Sequence, residues 1–124
     1  MPFHLRGDGK PVVVFEPRLE ISAFTLFRRL KEGREMLLID VRPEARDGRS
    51  LQGAQPLPAG DWRPPEGLDV VLFDDDGSTA VELAERLIAG GHQRVRALFG
   101  GLDLYEFSLD PRVVGSETYL VRAG

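Results

Sequence analysis

Residues 70–79 read Val70-Val71-Leu72-Phe73-Asp74-Asp75-Asp76-Gly77-Ser78-Thr79. Four apolar residues run straight into three aspartates, a glycine and two hydroxyl residues. The apolar run suits a strand buried on both faces. Residues 79–89 then place Val81, Ala84, Leu87 and Ile88 on one helical face and Glu82, Glu85 and Arg86 on the other, and Gly90-Gly91 stops the helix. A strand that feeds a helix through so short a loop turns the first backbone N–H groups of the helix toward that loop. With the helix dipole, the resulting nest suits negative charge.

Working outward, the same pattern recurs. Met36-Leu37-Leu38-Ile39-Asp40-Val41 is a second apolar run, broken only by Asp40, and Val95-Arg96-Ala97-Leu98 reads as a third strand. Ser22 is placed to cap a helix that buries Ala23, Leu26, Phe27 and Leu30, with Ile21 as its hydrophobic staple, Arg28, Arg29 and Lys31 on the outer face and Gly33 as the stop. Residues 11–15, Pro-Val-Val-Val-Phe, read as a first strand that Pro17 ends. Residues 42–67 are irregular, with five prolines and a short helix expected over 44–47. After Gly100-Gly101, one or two helical turns are expected over 102–107, and a last strand over 117–121, paired with the first strand or with an edge.

Strands alternating with helices predict one α/β domain, with a largely parallel sheet, right-handed crossovers and helices on both faces. Its expected parts are an N-terminal strand segment (1–20), a central body (21–107) and a C-terminal extension with an edge strand (108–124). In such sheets the chemistry sits at the carboxyl ends of the strands. That singles out Asp40 and Arg42 on one strand end, and Asp74 to Thr79 on the next.

Composition narrows the chemistry further. The 124 residues include no cysteine, so disulfides, thiolate metal sites and cysteine-nucleophile mechanisms are excluded. Two histidines, His4 and His92, are too few and too far apart for a histidine metal cage. Sixteen basic against twenty acidic residues give a net charge of −4, which argues against a general nucleic-acid or anionic-membrane surface. No apolar run approaches the ~20 residues of a membrane span, and the expected compartment is the cytoplasm. No cofactor is expected.

Taken in order, several of these segments resemble the rhodanese-like family. Ile39-Asp40-Val41-Arg42, with Glu44 after it, resembles the family's first buried strand and its Asp-x-Arg ending. Gly53-Ala54 and Pro58 are similar to the connecting stretch. Residues 70–73 resemble the strand that carries the catalytic loop, and residues 80–87 the helix behind it. Gly91, Val95, Leu98, Gly100 and Gly101 resemble the signature that follows. The resemblance spans residues 21–107 and implies a sulfurtransferase fold.

The departures matter more. In active members the loop opens with a cysteine that carries sulfur as a persulfide; the matching position here is Asp74. Thr79 stands where a basic or hydroxyl residue is usual, Ser50 where a histidine is, and Tyr105 where a tryptophan is. A carboxylate cannot hold a sulfane sulfur, so the resemblance implies a catalytically inactive homologue that serves as a binding, regulatory or structural module. Its loop, Asp74, Asp75, Asp76, Gly77, Ser78 and Thr79, is then vestigial. Two readings of Asp74 stay open: its carboxylate accepts the loop N–H groups and plugs the pocket, or it merely opens the helix. Asp75 and Asp76 are expected to add negative charge that repels anions.

An alternative comes from the same residues. Asp74-Asp75-Asp76-Gly77 also resembles the Asp-x-Asp-Gly loop of haloacid-dehalogenase-like phosphatases, which would make Asp74 a nucleophile and Asp76 an acid/base beside Mg²⁺. No lysine follows Asp74, although that family uses a later basic residue. An EF-hand is excluded, since its sixth position would be Thr79 rather than glycine. His92 reads as a surface or partly packed residue, His4 as part of a mobile N-terminus, and Trp62 as a local core or lid residue over the proline-rich stretch. The partner is expected to be an unidentified protein or small molecule.

Overall fold

The computed structural model describes residues 3–5, 11–44 and 48–122. In chain order the elements are β1 (Phe3–Leu5), β2 (Pro11–Val13), β3 (Glu20–Ile21), α1 (Ala23–Lys31), β4 (Met36–Asp40), β5 (Arg49–Leu51), β6 (Gln55–Pro56), β7 (Asp69–Phe73), α2 (Ser78–Ala89), β8 (Val95–Leu98), α3 (Gly101–Ser108), α4 (Pro111–Val114) and β9 (Leu120–Arg122). Five strands form the central sheet in the order β3-β8-β7-β4-β6, and every pairing in it is parallel.

The apolar runs take the central places because they have two faces to bury. Along β7, Val71 and Phe73 point into a core with Leu26 and Phe27 of α1 and Leu102 and Tyr105 of α3. Val70 and Leu72 point the other way, toward Ala80, Val81 and Ala84 of α2. This is the period-2 alternation of a strand, with helices covering both sides. Leu26, Leu72 and Phe73 are fully enclosed, and each such side chain is worth about 1.5–3 kcal/mol of burial. Helix α1 starts as its sequence predicts: the Ser22 hydroxyl accepts the Thr25 N–H at 3.2 Å. Arg28, Arg29 and Lys31 occupy its last turn, where cations oppose the helix dipole. Trp62 is half-buried at the margin of the α2-side core.

Several expectations are corrected. The first strand is shorter than residues 11–15 and does not join the central sheet; β2 pairs antiparallel with β1, placing His4 opposite Val12 in a strand rather than in a mobile tail. The sheet edge is instead β3, two residues too short to show a period. It follows a turn in which the Leu19 and Glu20 N–H groups donate to the Glu16 carbonyl. The last strand, β9, pairs neither with the first strand nor with an edge of the main sheet; it forms an antiparallel ribbon with β5. Residues 42–67 therefore contain two strands, β5 and β6, and the helix expected over 44–47 falls mostly on residues outside those described. Helix α4 was also unforeseen. Asp110 caps it by accepting the Arg112 N–H, and Pro111 fills its first turn.

Candidate functional site

The register of the sheet builds the site. Asp40 of β4 stands opposite Phe73 of β7, and the Val41 N–H donates to the Phe73 carbonyl at 2.9 Å. The carboxyl ends of two adjacent strands thus deliver Asp40, Arg42 and the 74–79 loop to one place. Between them lies a cleft of about 190 Å³, lined by Val41, Arg42, Pro43, the three loop aspartates, Ser78 and Thr79.

The three aspartates are sorted onto three different sets of donors. Asp74 is buried and turns inward: its Oδ1 accepts the Gly77 N–H at 2.6 Å, and its Oδ2 accepts those of Thr79 at 2.9 Å and Ala80 at 3.3 Å. This is the plugging arrangement, with the carboxylate on the N–H groups at the start of α2. Burial raises the Asp74 pKa above the ordinary aspartate value. The three backbone donors oppose that shift, and the nearby Asp76 charge adds to it.

Asp75 turns the other way, to Arg42. That guanidinium is almost wholly buried. It grips Asp40 with two bonds, Nε to Oδ1 at 3.0 Å and Nη2 to Oδ2 at 2.8 Å, and reaches Asp75 Oδ1 through Nη1 at 2.9 Å. The Asp40 bonds, followed by those to Asp75, raise the Arg42 pKa and keep it charged. Asp76 is exposed and folds back onto Ser78, accepting from its N–H at 3.0 Å and its hydroxyl at 2.7 Å, which lowers the Asp76 pKa.

Asp75 therefore does not stand as free negative charge over the loop, as the sequence led us to expect, because Arg42 compensates it. A second arginine that the sequence reading missed contributes too. Arg49 of β5 is buried, bonds Asp103 at 2.7 Å and Glu106 at 3.2 Å, and approaches Asp75 at 3.6 Å. Its backbone carbonyl accepts from Arg42 Nη2 at 2.5 Å. The only sequence signal was Leu51, two residues on and also buried, which puts Arg49 on the inward face of a strand. Ser50, between them, is half-buried and pairs with Val121.

Main-chain bonds complete the loop. The Leu102 and Asp103 N–H groups, in the first turn of α3, donate to the carbonyls of Asp74 at 2.9 Å and Asp75 at 3.0 Å. Gly101, at φ 63°, allows that approach: a Cβ there would lie 2.5 Å from the Asp75 carbonyl group. Tyr105, fully buried, donates its hydroxyl to the Thr118 carbonyl, tying α3 to the C-terminal segment.

Solved structures share the overall fold. The BH2092 protein from Bacillus halodurans superposes with a TM-score of 0.60 at 19% identity over 74% of each chain. A rhodanese-related protein from Thermoplasma volcanium gives 0.59 at 16% identity, over 73% of this chain and 92% of that one. The fold is rhodanese-like. The reduced CoADR-RHD protein of Bacillus anthracis also matches, with a TM-score of 0.56 at 20% identity over 70% of this chain and 16% of that one. No protein-family model matches the chain, and neither does any curated protein. The rhodanese-like domain described here has no cysteine. Among its described residues, no helix is long and apolar enough to cross a membrane.

Proposed function

We propose that this rhodanese-like domain carries no sulfurtransferase activity, that residues 74–79 are a vestigial active-site loop beside Asp40 and Arg42, and that the domain works as a binding or regulatory module. One observation carries the reading. The Asp74 carboxylate takes up the Gly77, Thr79 and Ala80 N–H groups, the donors that a sulfur-bearing thiolate or its anionic substrate would need. The nest is filled by the protein's own side chain, and that side chain cannot carry sulfane sulfur.

The phosphoryl-transfer alternative asks Asp74 to face solvent as a nucleophile with Asp76 beside it. Here both Asp74 oxygens are engaged inward, and Asp76 is turned onto Ser78. Two measurements test the proposal. Purified protein should show no thiosulfate:cyanide sulfur transfer above buffer, and millimolar Mg²⁺ should leave its melting temperature unchanged, since a metal bound to the native state would raise it. A clear sulfurtransferase rate overturns the proposal. A Mg²⁺-dependent rise together with phosphatase turnover replaces it with the alternative.

A further inference from the structure

A separate groove, of about 540 Å³, shares only Asp76 and Ser78 with the Arg42 cleft. Its apolar lining comes from Val81 of α2, Phe99 after β8, and Leu104 and Phe107 of α3. Leu104 and Phe107 are three residues apart on one helix and so share a face. Phe107 is 85% exposed, a large apolar side chain held in water beside other apolar surface.

The charged lining is of one sign. Glu20, Asp76 and Asp103 line the groove, and among the described residues no lysine, arginine or histidine does. Asp103 is already paired with Arg49, and Asp76 is bonded to Ser78. Glu20 differs from both. It is 8% exposed, its Oε1 accepts the Glu16 N–H at 2.8 Å, and among the described residues no cation pairs with it. Burial raises its pKa, the Glu16 N–H bond opposes that shift, and the Glu16 charge adds to it. Such a group gains from an incoming cation.

We propose that this groove docks an amphipathic basic helix of a partner protein, with its leucine or phenylalanine side chains on Leu104 and Phe107 and its lysine or arginine side chains toward Glu20 and Asp76. Charge complementarity selects the partner's chemistry, and the chain's net charge of −4 acts in the same direction at longer range. An open apolar groove with Leu104 and an exposed Phe107 on one wall fits helix-in-groove recognition, whereas a small-molecule site would enclose most of its ligand. The inference names the surface and partner class of the binding role proposed above and rests on that reading.

The test titrates the full chain with a labelled helical peptide of leucine and lysine, and with its counterpart carrying glutamate for lysine. The lysine peptide should bind at least about tenfold more tightly than the glutamate peptide. Phe107→Ser, which removes a side chain that the fold leaves in water, should keep the circular dichroism spectrum and weaken binding about tenfold. Glu20→Gln should weaken it about threefold. No binding, equal affinity for the two peptides, or an affinity unchanged by Phe107→Ser overturns the proposal. A concentration-dependent dimer in sedimentation that Phe107→Ser abolishes would give the groove to a second copy of the chain and overturn it as well. A sulfurtransferase rate would instead strike the non-catalytic reading, and the peptide titration would still report on the groove.

Discussion

Asp74 Oδ1 lies 2.6 Å from the amide nitrogen of Gly77, so the first acidic residue of the loop binds back onto the turn that follows it. Both of its oxygens face N–H donors, and an amide there must present its own NH₂ group to at least one of them.

Asp74→Asn should therefore destabilise the domain by about 1–3 kcal/mol. The loss should depend on pH. Because the folded-state pKa of Asp74 is raised, the folded state holds this proton more tightly than the unfolded chain does. Its contribution is fully present below the ordinary aspartate pKa and falls as pH rises through the raised value. The stability gap between wild type and Asp74→Asn, from urea unfolding at a series of pH values, should be widest in acid and narrow toward neutrality. A variant more stable than wild type would refute the plugged loop.

Asp74→Cys should yield a thiol whose pKa lies below the ordinary value near 8.5, because the same three N–H groups would favour its thiolate. We expect alkylation by iodoacetamide to titrate below that value, with weak turnover of thiosulfate. Asp75 is paired with Arg42, and among the described residues no cation pairs with Asp76, so adding Asp76→Asn should raise turnover and adding Asp75→Asn should not. Equal effects of the two would mean that Arg42 does not shield the loop.

Arg42→Ala should cost about 3 kcal/mol, since it strands Asp40 and Asp75 without the buried cation that holds both. Arg42→Lys should recover only part of this, because an ammonium cannot reproduce the two-pronged grip on Asp40. Thermal or urea denaturation would order the three proteins, and a lysine variant equal to wild type would show that charge alone suffices.

Gly101→Ala and Gly53→Ala make a matched pair. Both glycines have positive φ, but a Cβ at Gly53 meets nothing within 4 Å, while one at Gly101 strikes the Asp75 backbone. Gly53→Ala should cost about 1 kcal/mol and Gly101→Ala more than about 3 kcal/mol. Similar losses for the two would remove the close approach as the reason for glycine at 101.

The core of the fold could be read directly from residues 70–73 and from 36–41 and 95–98, each apolar but for one charged residue, Asp40 and Arg96, because a strand buried on both faces must be largely apolar. Helices α1 and α2 were readable from period and cap. The short pieces were not. Glu20-Ile21 and Gln55-Pro56 are strands only because a neighbour supplies hydrogen bonds, and β5 and β9 find each other across about seventy residues. The loop is legible in the strand–Asp–Gly–helix pattern, whereas the sequence alone allows Asp74 either to plug the nest or merely to open the helix. The destinations of Asp75 and Asp76 were not readable. Arg42 and Arg49 settle Asp75, and each lies far from it along the chain. A run of like charges looks repulsive until the tertiary structure shows which of its members have been given a cation.

The carbonyls of Asp74 and Asp75 receive the first donors of α3, and Gly101 lets the two backbones meet. The course of the chain through positions 74 and 75 is thereby fixed by main-chain atoms, which every residue type possesses. The shape of the loop and the identity of its first side chain are consequently separate variables. A reactive group can be exchanged for an inert one while the scaffold around it keeps its form, so a domain of this kind can lose a chemical activity in a single substitution and still fold, persist and present its other surfaces.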